Sequence, residues 1–323
     1  MNNIDFNNNK IPIFLLTRDR PYLISHVIER LLRFTDWNLF QLFILDNNST
    51  SANKKIISSY LSKYKEIGIF HNHYNNPSII QNTAIKKLRR DYYIKIDDDI
   101  LVTEGWYHGL LNVFSKNIDK KISFATPIIP INGFGWIPFL KVLNKLDEFK
   151  IKFPHVKLIQ GCTEPSIQHD PQVAEYIWKL CLNLDETRDR FIENQNGIFK
   201  HFTVPTQYSI GLIMYSHFFW ELMGGWKYTQ KIASREKKYN LLKNMSKSFY
   251  SNDNLKKKRL KEILNIMLNL NNLFNGDDEY YLCDFALKNN YLQIATTESL
   301  VYPFAFNTID EQLMENIFLD IKF

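Results

Sequence analysis

Cysteine is scarce in this chain. Its 323 residues hold three, Cys162, Cys181 and Cys283, an odd number with no CxxC pair. That excludes a disulfide framework and fits a reducing compartment. No apolar run approaches the length of a membrane span, and residues 1–10 lack the apolar stretch of a signal peptide. Of the eight histidines, only His71 and His73 are spaced to share a strand face, and a polar strand end explains them better than a metal pair. There is no internal repeat and no clean linker. Forty basic residues against 34 acidic ones give +6, too little for a polycation, so no nucleic-acid partner is expected. The expectation is a cytoplasmic protein, or one peripheral on the cytosolic face of a membrane.

What is present is an ordinary globular composition, 45% apolar and 23% charged, in a chain long enough for a large core. Its focal stretch is 92–106. Tyr92 to Ile96 are aromatic or β-branched except Lys95, as suits a short buried strand. The strand runs into Asp97, Asp98 and Asp99. If the extended chain continues, Asp97 and Asp99 share a face and Asp98 points away. Two carboxylates so close repel unless protonated or bridged by a cation. A hard divalent ion, Mn²⁺ or Mg²⁺, held by Asp97 and Asp99 resolves the repulsion and leaves positions open for phosphate oxygens. The plainer alternative is an acidic turn in which Asp99 caps the next element. An EF-hand is excluded, because the loop glycine and alternating ligands after Asp99 are missing.

Taken in order, the chain alternates strand and helix. Residues 11–16 form an apolar strand ending in the polar turn Thr17-Arg18-Asp19-Arg20-Pro21. A helix comes next, with Leu23, Ile24, Val27, Ile28, Leu31 and Leu32 on one face and Pro21 in its first turn. Residues 42–45 are a second strand ending on Asp46, succeeded by a helix through Ile56, Ile57, Tyr60, Leu61 and Tyr64. A third strand spans 67–71, a helix opens at Pro77, and then comes the strand that carries the aspartates. This βαβαβαβ order predicts an α/β fold with a mostly parallel, Rossmann-like sheet flanked by helices. Ligands of such sheets bind at the carboxyl ends of the strands, where Thr17–Arg20, Asp46–Thr50 and Asp97–Asp99 all fall. Farther on, a helix is expected over 105–117, a strand over 122–126, a helix over 173–184, a strand over 208–215 and a helix over 216–223. A helix over 280–288, a strand over 292–296 and a helix over 311–321 complete the reading.

In this order the elements resemble the GT-A glycosyltransferases, specifically the inverting family called glycosyltransferase family 2. Thr17-Arg18-Asp19-Arg20 looks like the family's opening turn, with Asp19 where Asn is usual. Asp46 stands where the family's second strand ends on the aspartate that recognises the nucleotide base. Gln81-Asn82 sits where the family has an Arg/Gln-Asn pair, and Asp97-Asp98-Asp99, with Gly105-Trp106 after it, matches the Asp-x-Asp (DXD) motif. Gly224-Gly225-Trp226 and Asp277-Asp278-Glu279 look like the later glycine pair and the acidic motif bearing the catalytic base. The likeness covers about residues 10–130 and 208–297.

The resemblance implies a transferase that moves a sugar from a nucleotide-diphosphate donor, first of all a UDP-sugar, to a hydroxyl of a glycan or lipid-linked saccharide. Surface polysaccharide or glycoconjugate biosynthesis is the expected setting. Thr17, Arg18, Asp46, Gln81, Asn82, Asp97 and Asp98 are the expected donor-binding residues. Asp278 is the preferred base, with Glu279 second, because the family's usual Glu-Asp aligns with Asp277-Asp278-Glu279 in two registers. A base opposite the leaving group implies inversion. The processive QxxRW motif is not recognisable near Gln293, which favours single-sugar transfer. The single domain divides into a donor half, 1–130, and an acceptor half, 131–323, with helical insertions at about 133–207 and 227–275. A non-catalytic nucleotide-sugar or glycan-binding protein on the same fold is the alternative.

Each feature also has a structural reading. Asp46 suits a turn with Asn47 and Ser49. Acids at 278 and 279 suit any helix start. Trp136 and Trp226 suit either a sugar face or the core. Lys86, Arg89 and Arg90 read as a solvated helix face. The basic stretch 237–261 reads as a solvated helix by default, as a membrane-surface patch if the acceptor is lipid-linked, and least well as a nucleic-acid site.

Overall fold

A computed structural model describes residues 10–73, 75–117, 120–159, 170–206, 208, 210–227, 278–304 and 319–322. The basic stretch 237–261, Asp277 and most of the helix expected over 311–321 lie outside these residues.

The first half keeps the expected alternation. Strands β1 (Ile11–Thr17), β2 (Phe40–Asn47), β3 (Gly68–Asn72) and β4 (Tyr92–Asp97) alternate with helices α1 (Pro21–Phe34), α2 (Ser51–Lys63) and α3 (Pro77–Leu88). All four strands are parallel, in the order β3-β2-β1-β4. β1 is buried along nearly its whole length, as its continuous apolar run requires of a strand covered on both faces. Pro12 is tolerated there because the β4 ladder begins one residue later, at Ile13. In α1, Leu23, Ile24, Val27, Ile28 and Leu31 are all buried, at the spacing of one helical face.

Beyond β4 the sheet turns mixed. β5 (Ile100–Val102) comes directly after the aspartates, then α4 (His108–Lys116) and β6 (Ile122–Ile128). Helices α5 (Trp136–Val142), α6 (Leu146–Lys152), α7 (Pro171–Lys179) and α8 (Leu184–Glu193) lead to β7 (His201–Thr203), β8 (Leu212–Ser216) and α9 (His217–Leu222). α10 (Asp278–Lys288) and β9 (Leu292–Pro303) end the described order. The full sheet runs β3-β2-β1-β4-β8-β6-β9-β5, with β7 on β9. β8 lies antiparallel between β4 and β6.

Two expected elements shift, and the open reading of the two tryptophans is decided. The helix expected over 173–184 is two helices: Asp170 caps α7 and Asn183 caps α8, each accepting backbone N–H groups through its side chain. The strand expected over 208–215 starts only at Leu212, because the peptide groups of Ile210 bond to side chains of the site instead of the ladder. Trp136 and Trp226 are core residues, packed on Phe149 and edge-on to Tyr215. The 131–207 region shares the sheet's hydrophobic cluster, with Phe139 stacked on Phe191 and Trp178 against Phe304. Among the described residues no helix is long and apolar enough to cross a membrane.

After α9 the chain turns sharply, with Gly224 and Gly225 at φ of 73° and 78°. A Cβ on Gly225 would stand 3.0 Å from Asn82 Oδ1, so the turn needs glycine for space as well as for its left-handed backbone. Asn82 holds this turn from α3. Its Oδ1 accepts from Trp226 N (2.9 Å) and Trp220 Nε1 (3.0 Å), and its Nδ2 donates to Trp226 O (2.8 Å). Asn82→Ala leaves three partly buried groups without partners. We expect it to cost about 2–4 kcal/mol in urea unfolding, at roughly 1 kcal/mol per lost bond and more for groups left unsatisfied. A loss below about 0.5 kcal/mol would show that Asn82 does not brace the turn.

Candidate active site

The ends of β2, β1 and β4 lie side by side: Thr17 is in register with Asp46, and Leu16 with Asp97. From these ends three short loops are knotted together by their own polar side chains. Thr17 Oγ1 donates to Asp98 Oδ2 (2.7 Å) and accepts from Asn53 Nδ2 (3.0 Å), which also donates to Ser49 Oγ (3.0 Å). Arg18 N donates to the same Asp98 oxygen (3.0 Å). Asp19 sits at φ 55°, in the left-handed region that short polar residues tolerate, and its Oδ1 accepts from Thr50 N.

The alternation expected through the aspartates stops at Asp97, where β4 ends. Asp98 and Asp99 form the turn into β5, and each carboxylate has its own surroundings. Asp97, 27% exposed, is paired with Lys95 two residues back on the same strand face (Nζ–Oδ1 2.8 Å). Lys95 is 3% exposed in its side chain and also donates to Ile210 O (2.8 Å). Asp98 is turned back and buried under the β1 loop, taking Thr17, Arg18 N and one contact from Arg20 (Nη1–Oδ1 3.2 Å). Asp99, 16% exposed, pairs closely with the same Arg20 nitrogen. Burial drives the Asp98 carboxyl up to about 6, with Arg20 pulling down and Asp99 pushing up. Burial also works against the charge of Arg20, but Asp99, Asp98 and Asp97 outweigh it and hold the guanidinium protonated.

Asp46 is buried at the end of β2. Its Oδ1 accepts from Ser49 N (2.9 Å) and its Oδ2 lies 3.1 Å from His71 Nδ1. Gln81 is buried, donating Nε2 to Pro77 O (3.1 Å), and its Oε1 has no partner among the described residues. Asn82 lies at the glycine turn, its side-chain amide bonded to Trp220 and Trp226 there. Glu279, in the first turn of α10, accepts from Ile210 N (3.1 Å) through Oε1. Ile210 thus bonds Glu279 through its N–H and Lys95, the partner of Asp97, through its C=O. α10 is also tied to the glycine turn, since Tyr281 OH donates to Met223 O (2.9 Å). Asp278 opens the same helix; its side chain is outside the described set.

The donor set suits a hard divalent cation. Asp97 and Asp99 offer oxygen ligands, both partly open to solvent. Among the described residues no group of three or more His, Cys, Asp or Glu comes together, so remaining ligands would be phosphate oxygens and water, as for Mg²⁺ or Mn²⁺ in nucleotide sites. Lys95, Arg20 and the Ile210 peptide were not singled out from the sequence. Lys95 had a signal: it is the charged residue in an otherwise apolar strand, two positions before Asp97.

The chain is an α/β protein with a large, mostly parallel then mixed sheet flanked by helices. Residues 13–163, just under half of the chain, match the family model described as Glycosyl transferase family 2, so that stretch is similar to the family. Solved structures with similarity include GalNAc-T7 with UDP, GalNAc and Mn²⁺, at 15% identity and a TM-score of 0.34, covering 39% of this chain and 24% of that one. Another is the mannosyltransferase PcManGT from Pyrobaculum calidifontis, in complex with GDP-Man and Mn²⁺, at 10% identity and a TM-score of 0.40, covering 69% and 49%. The chain thus spans at most about half the length of these two proteins. No curated protein matches it.

The surroundings of Asp46 set a pH dependence. Burial alone would raise its carboxyl, but the Ser49 and His71 hydrogen bonds and the Lys54 charge outweigh it and hold Asp46 below the ordinary 3.8. The folded protein therefore binds this proton less readily than the unfolded chain. The stabilisation is present above about pH 4 and is lost as pH falls through the depressed value. Denaturant unfolding from about pH 5 to about pH 3 should show a shallower acid-side slope for Asp46→Asn than for the parent. Identical slopes would refute the hydrogen-bonded carboxylate.

Proposed function

We propose that this chain is a metal-dependent, inverting glycosyltransferase of hexosyl type. It moves a sugar from a nucleotide-diphosphate donor, first of all a UDP-sugar, to a hydroxyl of a glycan or glycolipid in surface polysaccharide or glycoconjugate biosynthesis. It works in the cytoplasm or at the cytosolic face of a membrane. Residues 1–130 bind the donor; residues 131–323 bind the acceptor and supply the base. The observation that carries this reading is the junction at Ile210, which joins Glu279 to the partner of Asp97 at the carboxyl edge of the sheet.

In this reading Asp97 and Asp99 hold Mn²⁺ or Mg²⁺, which when bound supplies charge to offset the negative charge developing on the leaving diphosphate. Thr17 and Arg18 line the nucleotide, and Asp46, with His71 beside it, receives the base. Gln81 brings from α3 a carbonyl with no partner among the described residues. Asp98 contributes indirectly, by holding the loop that carries Thr17 and Arg18. A carboxylate of the acidic motif takes the proton of the acceptor hydroxyl as it attacks the anomeric carbon from the face opposite the leaving group, which inverts the centre. Of the two acids we assign the base to Glu279, whose carboxylate reaches the Ile210 N–H; the side chain of Asp278, preferred from the sequence, lies outside the described residues. A second reading, nucleotide-sugar binding without turnover, is favoured by the pairing of Asp97 and Asp99 with Lys95 and Arg20; turnover decides between them.

A thermal-shift screen of UDP-, GDP- and CMP-linked sugars with and without Mn²⁺ tests the donor class. Asp99→Ala should keep the fold and lose Mn²⁺-dependent donor binding; metal-independent binding equal to the parent's would sink the ligand assignment.

Glu279→Gln keeps an acceptor for Ile210 N–H but cannot take a proton. It should bind donor as the parent does and turn over on the order of 10²–10⁴-fold more slowly. Full turnover by this variant, with Asp278→Asn inactive, would move the base one residue back.

A further inference from the structure

Arg20 is built into the loop after β1 in an unusual way. Its backbone carbonyl caps α1, accepting from Leu23 N (3.0 Å) and Ile24 N (3.1 Å), so the main chain is fixed. Its side chain, 35% exposed, reaches over the aspartate turn. One nitrogen, Nη1, touches both Asp98 and Asp99. These carboxylates differ. Asp98 is buried and already carries Thr17 and Arg18 N, so its place is set without Arg20. Asp99 is more open, and Arg20 is its closest charged partner among the described residues. A guanidinium is permanently charged, and its planar fork also matches phosphate oxygens.

We propose that Arg20 is an exchangeable counter-cation of the site: it occupies Asp99 while the donor is absent and passes to the donor diphosphate when a divalent ion takes Asp99. The proposal rests on the reading of Asp99 as a metal ligand. The carboxylate cannot serve both cations at full strength, since a guanidinium within hydrogen-bond distance repels a divalent ion approaching the same oxygen. Arrival of the metal therefore favours departure of Arg20 from Asp99, and a diphosphate gives it a new anionic partner within reach of the same side chain. Rotation about the Arg20 side chain suffices, because its backbone stays on α1 and Asp98 remains beside it as a pivot. The consequence is reciprocal coupling: metal and nucleotide each bind better in the presence of the other. The role is one of positioning and selectivity. Arg20 keeps the donor-free protein from filling with metal alone.

The test measures Mn²⁺ binding directly, from the loss of the free-ion electron paramagnetic resonance signal, with and without UDP. The parent should bind Mn²⁺ weakly alone and on the order of tenfold or more tightly with UDP, within the usual range of such couplings. Arg20→Gln should bind Mn²⁺ alone more tightly than the parent, bind UDP less tightly at saturating Mn²⁺, and show a coupling reduced toward one. Arg20→Lys, which keeps the charge but loses the fork, should fall between them, and circular dichroism checks that both variants fold. If Arg20→Gln leaves Mn²⁺ affinity in the absence of UDP unchanged or lowers it, the exchange is overturned, whatever happens to UDP. Asp99→Ala separates the two failures. If that variant retains the parent's Mn²⁺–UDP coupling, Asp99 is not a ligand and the underlying reading falls. If it loses the coupling while Arg20→Gln keeps it, only the exchange is refuted.

Discussion

Carboxylates on three consecutive residues repel one another, and a fold that sets them at the end of a buried strand must supply protons or opposite charge. Here it supplies two cations from different directions. Lys95 rises from within β4 to Asp97, and Arg20 reaches down from the β1 loop to Asp98 and Asp99. A lysine as buried as Lys95 would be costly without a charged partner and a second acceptor. Asp97 and the Ile210 carbonyl are those partners. The acids thus decide where the cations lie, and the cations in turn fix the loops. Remove the aspartates and the buried ammonium of Lys95 and the guanidinium of Arg20 lose the charges that hold them, while the Arg20 main chain stays on α1.

From that electrostatic centre two covalently distant segments are drawn in. The Ile210 peptide leaves the β8 ladder to serve Lys95 and Glu279, which brings the first turn of α10 to the end of β4. Asn82 does the corresponding task for the glycine turn, and Ser78, one helical turn earlier on α3, donates to Lys227 O (2.9 Å). Tyr281 closes the loop by bonding Met223 O from α10. Helix α3, the glycine turn and helix α10 are therefore one hydrogen-bonded unit. In such a unit the position of the acidic motif is set by residues far from it in sequence.

Strand ends were legible in the sequence because hydrophobic period and polar termination agree there. β1 to β4 and their helices are found where the apolar runs and the prolines put them, and Thr17, Asp46 and Asp97 come out side by side. Contacts that depend on a partner from another element were not legible. β5 is three residues long, too short to show a period, and exists because β9 pairs with it. Nothing local to residues 208–211 says that Ile210 will forsake the ladder. The buried tryptophans could be read either way from sequence; in Trp136 the packing against Phe149 decides. The helix boundary between α7 and α8 was written in Asn183, a good N-cap, but the apolar residues on both sides masked it.

The departures from the resembled family become less puzzling once backbone and reach are considered. Asp19 stands where asparagine is usual, at a φ of 55°. Asparagine and aspartate are the non-glycine residues most at home there, so the position asks for a conformation and an acceptor for Thr50 N, and either residue meets both needs. The acidic motif raises a question of length. Glutamate carries its carboxylate one methylene farther than aspartate, and from the first turn of α10 Glu279 reaches the Ile210 N–H. That contact lies one residue from Gly211, whose carbonyl accepts from Asp97 N (2.9 Å). The longer side chain therefore lets an acid in the first turn of α10 reach the backbone that adjoins Asp97.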